Sequence, residues 1–200
     1  MPVIGLTGGI ATGKSTFAIA LLRELPMGHF DSDRCVHELL ATDDATRDAI
    51  VAAFGPDVCG CEGRPDRTAL RNIIFNNEER RRTLESILHP AVRAQWTVLA
   101  DEARRRETWL LVDIPLLYET RVESEFDRVI VVASSKKTQI ERLKHERRLA
   151  PELAERIIAA QFDLEAKTKK AEHVIWNDST RRNLDGQARL LADWLRVRYS

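Results

Sequence analysis

The stretch "GLTGGIATGKSTFA", Gly5 to Ala18, follows the apolar Val3-Ile4 and runs into the helix-forming Ile19-Ala20-Leu21-Leu22. Inside it, Gly8-Gly9-Ile10-Ala11-Thr12-Gly13-Lys14-Ser15 satisfies G-x-x-x-x-G-K-[ST], a pattern that cradles phosphate where it joins a strand to a helix. Glycine lets the loop backbone wrap a phosphate closely and adopt conformations that a side chain forbids. The amides of Gly9 to Thr16 can then turn inward, and the helix amino terminus adds its partial positive charge. Lys14 supplies a full charge for β and γ phosphates, and the Ser15 hydroxyl suits a magnesium ion. The stretch therefore reads as a nucleoside triphosphate site, with Gly8, Gly9, Ala11, Thr12, Gly13, Lys14, Ser15 and Thr16 as its contacts.

Outward from this loop, short apolar runs at Val3 to Thr7, Gly28 to Asp31, Trp109 to Ile114, Arg128 to Ala133 and His173 to Trp176 read as buried strands. Helical patterns separate them, and strands alternating with helices imply right-handed crossovers and a parallel sheet covered on both faces. The fold class is α/β. Between the second and third strands, about Arg34 to Arg106, the periodicity is helical, and in the long pattern from Glu78 onward Pro90 is expected to bend or break the helix. A second helical excursion, Lys136 to Ala171, lies between the last two strands. The chain reads as one domain: a core of 1–33, 107–135 and 172–200, a helical insertion 34–106, and a lid with its following helices 136–171.

A chain of 200 residues holds one sizeable core. Lys+Arg and Asp+Glu both number 31, so no global basic field attracts nucleic acid. No segment has the length and apolarity of a membrane span or the pattern of an export signal, so a cytoplasmic location is expected. The cysteines Cys35, Cys59 and Cys61 suit a reducing compartment, and Cys59-Gly60-Cys61 lacks the second pair that a zinc site needs.

A phosphate loop alone does not separate kinases from GTPases or motors. No Asn-Lys-x-Asp element for reading guanine is present, and the third strand ends Val112-Asp113-Ile114-Pro115 without paired acids. Asp113 could hold a magnesium-bound water or cap the next turn. The second strand ends Phe30-Asp31-Ser32-Asp33, at the sheet edge where ligands of open α/β sheets bind. A carboxylate there can take the proton of an attacking hydroxyl. Asp33, farther from the sheet, is the candidate base, and a helix cap is the alternative for either acid. Gln139 and Arg142 share one helix face, with Arg147 and Arg148 beyond, which reads either as a basic lid over a transferring phosphoryl group or as a surface helix with ion pairs.

Taken in order, "GLTGGIATGKST" (Gly5 to Thr16), "DSDRCVHELL" (Asp31 to Leu40), "DRTALRNIIF" (Asp66 to Phe75), "LESILHPAV" (Leu84 to Val92), "DIPLLYE" (Asp113 to Glu119), the Gln139 to Arg142 pair and "RIIAAQFDLEAK" (Arg156 to Lys167) leading to "HVIWN" (His173 to Asn177) resemble the dephospho-CoA kinase family over nearly the whole chain. The resemblance implies a P-loop kinase core with a five-stranded parallel sheet, a helical CoA-binding insertion and a lid. It also implies ATP- and magnesium-dependent phosphorylation of the ribose 3′-hydroxyl of dephospho-CoA. By that likeness Asp33 is the base and Ala11 to Thr16 hold the ATP phosphates. The lid contributes Arg142, the Asn177 loop lies near adenine, and His89 with Pro115, Leu116, Leu117 and Glu119 shapes the acceptor pocket. A monomer is expected. Ala11, Glu146 and Ser179 depart from the family pattern, at positions where glycine, a lid arginine and glycine are usual. The rival readings are another small-molecule or nucleoside monophosphate kinase of this architecture, and an ATP-binding regulator that transfers nothing.

Overall fold

The computed structural model describes residues 1–75 and 77–199. The chain forms two compact units, one of Met1–Phe30 together with the chain from Ala100, the other of Asp31–Leu99.

The first unit is built on β1 (Val3–Gly8), β3 (Leu110–Asp113), β4 (Arg128–Ala133) and β5 (His173–Trp176), with β2 (Gly28–Asp31) completing a sheet of order β2-β3-β1-β4-β5. β1 pairs parallel with β3 and β4, and β4 with β5. Every residue of β1 and β3 is buried, as expected of strands covered on both faces, where apolar runs replace alternation. On one face, α1 (Lys14–Glu24) and α9 (Arg181–Tyr199) bring Phe17, Leu21, Leu184, Leu191 and Leu195 against Ile4, Leu6, Leu111, Ile130, Val132 and Ile175. On β1, a Cβ at Gly5 would stand 2.7 Å from Leu117 Cδ1 and 3.0 Å from the Phe126 ring. Only glycine lets those side chains close on the strand. Between β4 and β5 run α6 (Lys136–Arg147), α7 (Pro151–Ala159) and α8 (Leu164–Lys170). The five strands expected from the sequence are all present, each within a residue of its reading.

The second unit is helical: α2 (Ser32–Thr42), α3 (Asp44–Phe54), α4 (Arg67–Ile74) and the first part of α5 (Glu78–Arg105). Leu40, Ile50, Val58, Leu70, Leu84 and Leu88 form its core. Aspartates start three of its helices. Asp31 accepts from the amides of Asp33 and Arg34, Asp43 from Thr46 and Asp66 from Ala69, each cap contributing about 1 kcal/mol. Pro90 does not break α5, which runs unbroken from Glu78 to Arg105. Proline removes one amide donor, and the carbonyl deprived of it belongs to Ser86; both residues are exposed, so water can satisfy that oxygen.

Leu21 is fully buried, whereas Leu190 on α9 is 72% exposed. Leu21→Ala should lower unfolding free energy by about 2 to 5 kcal/mol in chemical denaturation, and Leu190→Ala by no more than about 0.5 kcal/mol. Equal losses would contradict the assignment of the core.

Candidate active site

The loop from Gly8 to Gly13 enters α1 without a side-chain cap and with no acidic residue in the first turn. The amides of that turn lack intrahelical acceptors, so this helix start presents donors and partial positive charge. Gly13 sits in the left-handed region, φ 86°, and a Cβ there would collide with the Asn177 amide nitrogen. Ala11 is also left-handed, at φ 56°, where a side chain costs about 1 to 2 kcal/mol. That strain gives a physical reason for the glycine usual at this position.

The loop's shape is fixed from its outer side. Gln139 Nε2 donates to the Ile10 carbonyl at 2.7 Å, Arg142 to the Ala11 carbonyl at 3.0 Å, and Asn177 Nδ2 to the Thr12 carbonyl at 2.8 Å. The amide of Ile10 in turn donates to Gln161 Oε1 at 2.7 Å. In a trans peptide the N–H points opposite to the C=O. Holding successive carbonyls outward therefore turns the amides that follow them toward the inner side of the loop. The loop is further tightened by the Thr12 hydroxyl, which donates to the Gly9 carbonyl at 2.9 Å.

Arg142 also donates to the Asn177 carbonyl at 2.7 Å, so its guanidinium joins the phosphate loop to the segment after β5. Asn177 itself is buried and hydrogen bonded through its amide to Ala133 at the end of β4. Next to it, Asp178 accepts from the amide and hydroxyl of Ser135, the residue that caps α6. Partial burial works against its charged form, but hydrogen bonds from Thr138 and Ser135 outweigh it and hold its carboxyl below the usual range. Of the departures from the family pattern, Ser179 accepts from Asn183 Nδ2 at 2.6 Å. Glu146 is exposed in the last turn of α6, beside the exposed Arg147 and Arg148.

Lys14 forms an ion pair with the buried carboxylate of Asp113, at the end of β3. Ser15 is exposed. The segment after β3 is equally tied down. The Pro115 carbonyl accepts from the Thr7 hydroxyl and from Lys167 Nζ, both at 3.0 Å, and Lys167 pairs with Glu119 at 2.8 Å. Leu116 is half-buried and Leu117 fully buried. The buried Tyr118 hydroxyl has no hydrogen-bond partner; burial, aided by Glu123 and Glu172, pushes its pKa up to about 12.

In the second unit, Asp31 is occupied as the cap of α2, whereas Asp33, in the first turn of that helix, exposes its carboxylate. His89 is half-buried on α5. The structure thus brings together Ala11, Thr12, Arg142 and Asn177 in one hydrogen-bonded set, with Gly13 close against Asn177. Gln161 and Lys167 lie in the stretch Arg156 to Lys167 and Asp178 just beyond Asn177, but their roles show only through partners far along the chain, Ile10, Pro115 and Ser135.

Gly13→Ala should weaken ATP binding about 10-fold or more in a calorimetric titration, since left-handed strain alone approaches the 1.4 kcal/mol that a factor of ten requires. Unchanged affinity would contradict this geometry. Because Tyr118 holds its proton more tightly folded than unfolded, its contribution to stability is full below pH 10 and lost as pH rises from there to about 12. Tyrosinate absorbance should show one of the two tyrosines ionising late in that window; both ionising near pH 10 would contradict it.

A model of the dephospho-CoA kinase family matches residues 2–183. A dephospho-CoA kinase of Symbiobacterium thermophilum is 43% identical over 178 residues, covering 88% of this chain and 74% of that protein. Among solved structures, TT1252 from Thermus thermophilus superposes with a TM-score of 0.75 at 30% identity over 96% of both chains. The dephospho-CoA kinase from Campylobacter jejuni does so with a TM-score of 0.64 at 26% identity over 96% of this chain and 95% of that one. A phosphate loop held in this way, on this sheet, along a chain matched from residue 2 to residue 183, places the protein in the dephospho-CoA kinase family.

Proposed function

We propose that the protein transfers the γ-phosphoryl group of ATP to the ribose 3′-hydroxyl of dephospho-CoA. The observation that carries this reading is the phosphate loop, whose outward-held carbonyls and uncapped helix start suit a triphosphate, in a chain of this family.

In this reading the amides of Ala11 to Thr16 bind the β and γ phosphates, with Gly8 and Gly9 letting the backbone approach. Lys14 exchanges its contact with Asp113 for the phosphates. Arg142, its plane set by the Ala11 and Asn177 carbonyls, lies against the nucleotide, with Asn177 bordering adenine. The Ser15 hydroxyl and Asp113 carboxylate are hard oxygen donors that fit magnesium, which takes one or two protein oxygens plus phosphates. When bound, magnesium offsets charge on the β and γ phosphates. Asp33 accepts the proton of the 3′-hydroxyl as its oxygen bonds to the γ phosphorus and the bond from phosphorus to the β–γ bridging oxygen breaks, releasing ADP. Its exposed carboxylate, next to an Asp31 already used as a cap, supports that choice. In this reading the helical insertion 34–106, which carries His89, serves the acceptor, as does the segment Pro115 to Glu119. Free cysteines and, among the described residues, the absence of any helix long and apolar enough to cross a membrane support a cytoplasmic location.

The test is ADP release from purified protein with ATP and magnesium, with and without dephospho-CoA, and with AMP and adenosine as alternative acceptors. Release that depends on dephospho-CoA is expected. Release driven by AMP would point to a nucleoside monophosphate kinase, and slow release unaffected by any acceptor to a regulator. Asp33→Asn should lower kcat by about 100-fold or more with ATP affinity nearly unchanged, whereas near-normal turnover would remove Asp33 as base. Lys14→Ala should weaken both ATP binding and transfer, and intact activity would undo the role given to the phosphate loop.

A further inference from the structure

Lys167 is 1% exposed, the most deeply buried charge of the described residues. A buried ammonium is tolerated only when its charge and donors are met. Here it donates to the Pro115 carbonyl at 3.0 Å and pairs with the Glu119 carboxylate at 2.8 Å. Those partners stand at the two ends of the segment Pro115 to Glu119, so one ammonium from α8 pins both. The Pro115 carbonyl is held a second time by the Thr7 hydroxyl of β1, one residue before the phosphate loop. Glu119 accepts no further hydrogen bond, which leaves Lys167 to balance its charge.

A leucine or methionine could fill this volume without burying a charge, so packing alone does not account for a lysine. What the ammonium adds is direction: it fixes where the backbone between its two partners runs. We propose that Lys167 is a positioning residue for acceptor recognition, stapling the Pro115 to Glu119 segment so that it presents a fixed surface to dephospho-CoA. The proposal rests on the acceptor reading given above. Lys167, 1% exposed, acts through Pro115 and Glu119.

The experiment compares steady-state kinetics of the wild type, Lys167→Met and Thr7→Val, varying dephospho-CoA and ATP separately, with ADP binding measured by calorimetry. Lys167→Met should raise the KM for dephospho-CoA about 10-fold or more, the scale of a misplaced binding element. Its KM for ATP and its ADP affinity should stay within about twofold of the wild type, a split that a general loss of structure would not give. Thr7→Val removes the other anchor without stranding a charge and should shift the same parameter in the same direction by a smaller factor. It decides the matter if Lys167→Met does not fold. An unchanged KM for dephospho-CoA in a folded variant, or equal losses toward both substrates, would overturn the positioning role. A wild-type protein that ignores dephospho-CoA would instead overturn the acceptor reading beneath it.

Discussion

Three carbonyls held outward set the geometry of this protein's phosphate loop. A loop that binds a polyanion must aim its amides at one point, and within this short glycine-rich segment only the bonds from Thr12 to the Gly9 carbonyl resist other shapes. Gln139, Arg142 and Asn177 supply the missing restraint by binding the oxygens of Ile10, Ala11 and Thr12. Two of these donors come from α6 and one from the end of β5. The sheet must therefore close β1 against β4 and β4 against β5 before the loop can take its shape. Preorganisation of this kind lowers the cost of binding and leaves little to rearrange when charge moves in the transition state.

The same economy recurs on the other side of β1. The end of β3 carries Asp113 against Lys14, and the segment beyond it is tied to β1 through Thr7 and to α8 through Lys167. The phosphate loop and the segment Pro115 to Glu119 thus both hang from β1, each fixed by side chains from the excursion between β4 and β5. That excursion, read from the sequence either as a basic lid or as a surface helix, acts as a clamp: Gln139, Arg142 and Gln161 all hydrogen bond the phosphate loop.

The strands were legible because buried parallel strands are short apolar runs between helical patterns, and the phosphate loop because its chemistry is written within eight consecutive residues. Position after the strand favoured Asp33 over Asp31 as base but left a cap open for either acid; the amide hydrogen bonds show that Asp31 is the one that caps. A break at Pro90 is not met, because propensity records the cost of proline but not whether exposed neighbours can hand the lost carbonyl to water. Gln139, Arg142 and Asn177 stood out in the sequence, but the contacts of Gln161 and Lys167 were illegible for a different reason. Gln161 lies 151 residues from Ile10, and Lys167 lies 52 from Pro115. No local pattern marks which distant carbonyl or amide a glutamine or lysine will meet.

The most direct measurement is the ATP dissociation constant of Gln139→Leu beside that of the wild type. Gln139 bonds the Ile10 carbonyl and is not among the residues assigned to the nucleotide, so any effect must pass through the shape of the loop. Leaving that carbonyl without its donor costs about 1 to 3 kcal/mol, so affinity should fall about 10-fold in a variant that still unfolds cooperatively. Wild-type affinity in the folded variant would contradict the claim that outward-held carbonyls set the site.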